Sequence, residues 1–332
     1  MHLLQIKLKN ILTALLFYSI SCQSQTINKM SENNNPLLCD PEKGICEIPA
    51  TTTSSLNQYV LDQQKAIKII YFTDPICSSC WGIEPQLRKL KLEYGAYIEI
   101  EYRMGGLLPD WSYNSGGISK PSDVAQHWDE VSLYYDMPID GNIWLENPLH
   151  SSYPPSVAFK ATQIQDEKKA IHFLRKIREM VFLEKKNICN WEYLALAAEE
   201  CGLDVQQMKI DYETKALQLF EQDLALARQM GVRGFPSLYF FENAQNQHLL
   251  YGFKSYQNFE DMLLKTYPQA IKKTYDTSWN SLFSQYPSLT AREFSELSNI
   301  SRTESEQILN DLTTNGKLEK WQTRNGAIWK RK

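Results

Sequence analysis

Two cysteines separated by two residues, set between an apolar strand and the start of a helix, constrain this chain more than any other feature. Residues 66–72 (Ala66-Ile67-Lys68-Ile69-Ile70-Tyr71-Phe72) form a short, β-branched apolar run that reads as a buried strand. Cys77 and Cys80 follow at once, and Leu87, Leu90 and Leu92 then recur with Arg88, Lys89 and Lys91 at helical spacing. Tyr97–Met104 alternates Ile98, Ile100, Tyr102 and Met104 against polar neighbours, a second strand. Strand, helix and strand make a βαβ unit with the dithiol at the head of its helix. The unpaired N–H groups there stabilise a thiolate, so Cys77 is expected to ionise easily and attack, while Cys80 stays protonated, buried and resolving. A zinc site would need a second ligand pair; Cys189 and Cys201 are twelve residues apart without a supporting His, and no metal is expected.

Beyond this unit the pattern changes period. Residues 121–230 are almost wholly helical in periodicity, with helices expected at 122–135, 155–165, 167–183 and 191–201, and a broken one over 204–230. Gly231-Val232-Arg233-Gly234-Phe235-Pro236-Ser237 interrupts the run, 238–241 regains strand character, 249–253 completes a hairpin, and 259–264 closes with a helix. A split α/β sheet thus carries a large helical insertion between its halves.

The segment Asp74–Pro85, with Trp81-Gly82 after the second cysteine, resembles the active site of the DsbA family of thioredoxin-fold proteins, and Gly231–Ser237 resembles that family's loop before the third strand. The resemblance covers about 65–268. It implies a thioredoxin-like α/β fold with a helical insertion, and thiol–disulfide exchange with cysteine-containing protein substrates and a redox partner protein. It implies no cofactor beyond the redox-active Cys77–Cys80 disulfide. By the same resemblance the Phe235–Pro236 peptide is cis, Pro236 shapes a substrate groove, and Phe235 and Trp81 lie at the substrate; packing against the insertion is the other reading of Trp81. Ser78-Ser79 departs from the family's Pro-His and implies a milder oxidant. The Cys-Trp-Gly-x-x-Pro continuation also resembles the cytosolic ClpXP-adaptor branch, which gives the alternative of a redox-sensitive protein-binding adapter without turnover. Related aromatic-ring isomerases carry Ser at the first position, and Cys77 argues against that activity.

The ends of the chain read separately. Lys7 and Lys9 precede an apolar run from Ile11 to Ile20 that stops just before Cys22, the layout of a secretory leader with a lipidated cysteine. Residues 1–29 are therefore expected to be a leader to the cell envelope or periplasm, or, if Met30 is the true start, an extension of a cytoplasmic protein. Residues 30–64 read as a linker in which Cys39 and Cys46 flank the turn Asp40-Pro41-Glu42-Lys43-Gly44, either a local disulfide or two unrelated cysteines. Residues 275–332 read as a separate winged-helix-like domain: helices over 279–283, 291–298 and 303–313, then a hairpin around Arg324-Asn325-Gly326.

Charge decides what that last segment can touch. The chain has net charge −4 and pI near 5.8, which excludes a general polyanion binder. The expected recognition helix carries Glu304, Glu306 and Asp311 with only Arg302 beside it, and eight Lys/Arg against seven Asp/Glu leave the segment at +1. A protein partner is expected there, and DNA is not. Asp74 and Glu84 stand near enough to the cysteines to move protons, although solvated carboxylates are the simpler reading.

Overall fold

The computed structural model describes residues 65–112, 119–243 and 245–332, together with two short strands at 39–40 and 45–47. The leader expected at 1–29 and most of the 30–64 linker lie outside the described residues.

The N-terminal strands β1 (Cys39–Asp40) and β2 (Ile45–Glu47) precede the βαβ unit of β3 (Ile67–Thr73), α1 (Ser78–Gly82), α2 (Glu84–Tyr94) and β4 (Ile98–Met104). All seven residues of β3 are buried, Lys68 included, as its mainly apolar run requires of a strand covered on both faces. It pairs in parallel with β4, Ile67 opposite Ile98, and antiparallel on its other side with β6.

The insertion contributes α3 (Pro121–Tyr135), α4 (Ile143–Glu146), α5 (Tyr153–Gln165), α6 (Glu167–Phe182), α7 (Trp191–Glu200), α8 (Val205–Thr214) and α9 (Ala216–Gln229). The break expected in the last long helix falls at Lys215, between α8 and α9. Asp166 starts α6 by accepting the N–H groups of Lys168 and Lys169. The sheet resumes with β5 (Gly234–Phe235), β6 (Ser237–Phe241) and β7 (Gln247–Tyr251), and α10 (Tyr256–Thr266) covers it. The main sheet runs β4-β3-β6-β7, and a second three-stranded sheet joins β1, β2 and β5. This is the expected thioredoxin-like α/β fold with its helical insertion.

The C-terminal segment is α11 (Trp279–Gln285), β8 (Ser288–Thr290), α12 (Ala291–Ser298), α13 (Arg302–Thr314), β9 (Leu318–Thr323) and β10 (Gly326–Arg331). Its sheet has the order β8-β10-β9, so the expected hairpin gains a third strand, β8, too short to announce itself in the sequence. Leu282, Leu289, Phe294, Leu297, Leu309 and Trp329 form a core of its own. The segment is nevertheless joined to the rest: Ile328 belongs to the main core, and Arg88 Nη1 donates to the Ser288 carbonyl at 2.9 Å. Arg175 on α6 grips Glu293 on α12 with both guanidinium nitrogens, at 2.8 and 3.0 Å.

Candidate functional site

The site is built where β3 runs out. Thr73 ends the strand, and Asp74 turns the chain by accepting the Ile76 N–H at 3.0 Å through its own carboxylate. Cys77 then takes the N-cap position of α1 in extended backbone (φ −75°, ψ 108°), and its Sγ accepts the Cys80 N–H at 3.1 Å. Sulfur thus does what an Asp or Ser oxygen does at most helix starts. Gly82 lets α1 lie against α3, because a Cβ there would sit 2.7 Å from the Tyr135 ring. The Tyr135 and Ser79 hydroxyls hydrogen-bond at 2.7 Å across the same contact.

Neither Cys77 nor Cys80 has any exposed surface. Burial pushes the Cys77 thiol well up, and the hydrogen bonding and charge of Cys80 add to the rise. Burial opposes ionisation of Cys80 as well, yet its thiol is pulled below the ordinary value by the hydrogen bond from Cys77, the Arg178 charge and the Thr73 side chain. The expectation that Cys77 ionises first is therefore corrected. Cys80 is buried as deeply, so the difference lies in the hydrogen bond from Cys77, the Arg178 charge and the Thr73 and Tyr71 side chains, all of which favour its thiolate.

The cation that serves this pair comes from a place the sequence did not mark. Arg178 of α6 is wholly buried. It donates to Glu84 Oε1 at 2.7 Å, Thr73 Oγ1 at 2.6 Å and the Asp74 carbonyl at 3.2 Å. Asp74 and Glu84 are accordingly not solvated carboxylates. Burial raises Asp74 to about 6, against hydrogen bonds from Leu107 N–H, Ile76 N–H and Ser152 Oγ. Burial would raise Glu84 too, but Arg178, Arg175 and Arg88 together hold it below its usual range.

Two expected substrate contacts are corrected. Trp81 is fully buried: its indole N–H donates to the Pro138 carbonyl at 3.1 Å, its ring stacks on Phe182, and Arg175 lies over it at 4.2 Å. The Phe235 ring is also wholly buried, so close to Gly105 that a Cβ there would overlap it. Neither side chain is available to a substrate; Phe235 can act only through its backbone. The Phe235–Pro236 peptide is cis, and the Pro236 carbonyl accepts the Gly252 N–H at 2.9 Å. On the other side, β2 pairs antiparallel with β5, placing Cys46 opposite Phe235. Cys189 and Cys201 are half-buried, and burial raises both thiols, Cys201 to about 11. Among the described residues no group of three or more His, Cys, Asp or Glu is placed to hold a metal.

The sequence model of the family described as Thioredoxin matches residues 71–261, more than half of the chain. The chain belongs to the thioredoxin family. Similar to this thioredoxin-family chain over nearly its whole length are proteins named ClpXP adapter protein SpxH. That of Halalkalibacterium halodurans is 30% identical over 91% of this chain and 99% of its own. That of Shouchella clausii is 32% identical over 88% and 96%. Among solved structures, a proposed protein disulfide isomerase from Nitrosomonas europaea matches with a TM-score of 0.53 at 22% identity, covering 62% of this thioredoxin-family chain and 98% of its own. That likeness is one of fold.

Proposed function

We propose that this protein is a redox-sensitive protein-binding adapter that delivers protein clients to a ClpXP protease, with the Cys77–Cys80 dithiol as its switch. The observation that carries the reading is one of coverage. The relatives named as adapters align along nearly the entire chain, whereas the oxidoreductase fold is used up within 62% of it. What the adapters share and that fold lacks includes sequence outside the sheet and its insertion. The burial of both sulfurs points the same way, since a turnover enzyme must offer one thiol to each new substrate. The C-terminal segment, whose helix–strand–helix–helix–hairpin order fits a winged helix, supplies a protein-contact surface in this reading. An adapter shares the compartment of its protease, which favours the cytoplasmic alternative.

The test is degradation. Purified ClpX and ClpP are given a soluble extract with or without the full chain, and protein half-lives are read by mass spectrometry. At least one protein should turn over several-fold faster with the chain present, and a Cys77→Ser/Cys80→Ser variant should still promote that turnover. An extract whose half-lives ignore the chain would rule the adapter reading out.

Thiol–disulfide exchange on protein substrates is the second reading, favoured by the Arg178 charge held beside the dithiol. There Cys80→Ser should accumulate reductant-sensitive adducts through Cys77 on non-reducing gels, and Cys77→Ser should trap none.

A further inference from the structure

The backbone register of the N-terminal strands places a second pair of cysteine positions, Cys39 and Cys46, beside the Phe235–Pro236 loop. β2 adds as a strand to β5, with Cys46 opposite Phe235 and Glu47 opposite Gly234. Phe235 is the residue before Pro236, so the added strand runs along the loop that the family resemblance assigns to the substrate. Backbone addition to a free strand edge is a general way of binding an extended peptide. Cα atoms of β2 also come within 8 Å of those of α1, the helix that begins one residue after Cys77. On its other side β2 pairs with β1, and the register sets Cys39 directly opposite Cys46. Opposed residues of antiparallel strands have Cα atoms roughly 4.5–5.5 Å apart. That lies inside the roughly 4.4–6.8 Å that a disulfide spans.

We propose that the β1–β2 strand pair is an internal substrate of the Cys77–Cys80 dithiol, with Cys46 the residue that exchanges and Cys39 the one that releases it. The proposal rests on reading Cys77 and Cys80 as a reactive pair, and it names their first partner as this chain itself. The exchange balances without an outside reagent. Starting from a Cys77–Cys80 disulfide, the Cys46 thiolate attacks Cys77 Sγ; a Cys46–Cys77 bond forms, the Cys77–Cys80 bond breaks, and Cys80 leaves as thiolate. The Cys39 thiolate then attacks Cys46 Sγ, forming Cys39–Cys46 and releasing Cys77. Two electrons pass from the strand pair to the dithiol, and the two protons lost by Cys46 and Cys39 are taken up by Cys80 and Cys77. Because donor and acceptor share one chain, the rate does not depend on protein concentration. Oxidation of the site is stored in the N-terminal strands, and the strand in the groove is displaced or kept according to that store.

The experiment traps the intermediate in the full chain. In Cys39→Ser/Cys80→Ser both releasing thiols are gone, so a Cys46–Cys77 bond once formed cannot be resolved. The reduced variant is treated with oxidised glutathione, which forms a mixed disulfide that the second cysteine displaces, and is then digested without reductant for mass spectrometry. A Cys46–Cys77 peptide pair should be the main product, in a yield unchanged by tenfold dilution. Glutathione remaining on Cys77, or Cys77 bonded to Cys189 or Cys201, or a yield that falls with dilution, would each overturn the proposal. The wild-type chain gives a measurement free of any folding defect in the variant. With one disulfide per chain, Cys39–Cys46 and Cys77–Cys80 should reach the same ratio within minutes from either starting form. Two populations that never interconvert would be equally fatal. The adapter reading fails on protein turnover instead, so a missing cross-link beside intact ClpXP stimulation sinks the internal exchange alone.

Discussion

Arg178 is the buried cation beside the dithiol and the residue its sequence hides best. It stands about a hundred positions from the cysteines, among Arg175 and Lys176, where a basic run on an amphipathic helix reads as a solvated face. Only the packing of α6 against β3 turns it inward. Replacing it by Met leaves the buried Glu84 without its closest cation, and a broken buried pair costs about 3–5 kcal/mol. Arg178→Met should therefore lower stability by that order and move the pH midpoint of thiol alkylation upward; an unmoved midpoint would disconnect the charge from the sulfurs. The Asp74 carboxyl makes a second, signed prediction. Its folded pKa of about 6 exceeds the ordinary 3.8, so the native state holds a proton that the unfolded chain gives up, and stability falls as pH rises between those values. The difference is worth roughly 3 kcal/mol. Urea unfolding of wild type and Asp74→Asn should show the wild type's advantage shrinking by that order from pH 3.5 to pH 7.5, and a constant difference would contradict the assignment. The dithiol itself was legible, because its chemistry is local: two cysteines, a strand before them, a helix after. Its protonation was not, since burial of a sulfur is settled by elements far along the chain.

Elements were read from the sequence in proportion to their length and period. α12 starts and ends where its pattern places it, and Thr290 with Glu293 forms the reciprocal cap that fixes its start. β8 escaped because three residues carry no alternation, and β2 because its partner β5 is almost 190 positions away. The two readings of Trp81 stayed open for a related reason, and the packing one holds: a tryptophan beside a reactive cysteine looks the same in sequence whether it faces a substrate or Phe182. The contact of α6 with α12 is the element-level joint of the molecule. Glu293 receives both nitrogens of Arg175, lies 3.3 Å from Arg88, and has a side chain with no exposed surface. Glu293→Ala removes a buried carboxylate that Arg175 and Arg88 share, leaving them only Glu179 and Glu84, and should cost about 3 kcal/mol. Thr290→Ala removes the cap and a weak hydroxyl contact to Met137 Sδ, and should cost about 1 kcal/mol. Hydrogen exchange over residues 279–331 should accelerate sharply in the first variant and little in the second; equal effects would mean that capping, not the ion pairs, holds the segment down.

At the scale of the whole molecule, Ile328 of β10 packs in the main core and the arginine–glutamate joint ties α6 to α12, so the two cores are expected to melt together. Calorimetry of the full chain over its described body should give one transition, and a separate early peak for residues 275–332 would show that the joint is weaker than its geometry. The same enclosure governs how the dithiol meets the outside. A sulfur with no accessible surface reacts only during the fraction of time that the structure around it has opened. At low reagent the rate follows concentration; at high reagent it levels off at the frequency of opening, whatever the reagent's strength. Such a site measures duration. If the dithiol is the switch proposed above, a brief burst of oxidant would leave most chains unreacted and a sustained one would reach them one by one, timed by a motion of the fold itself.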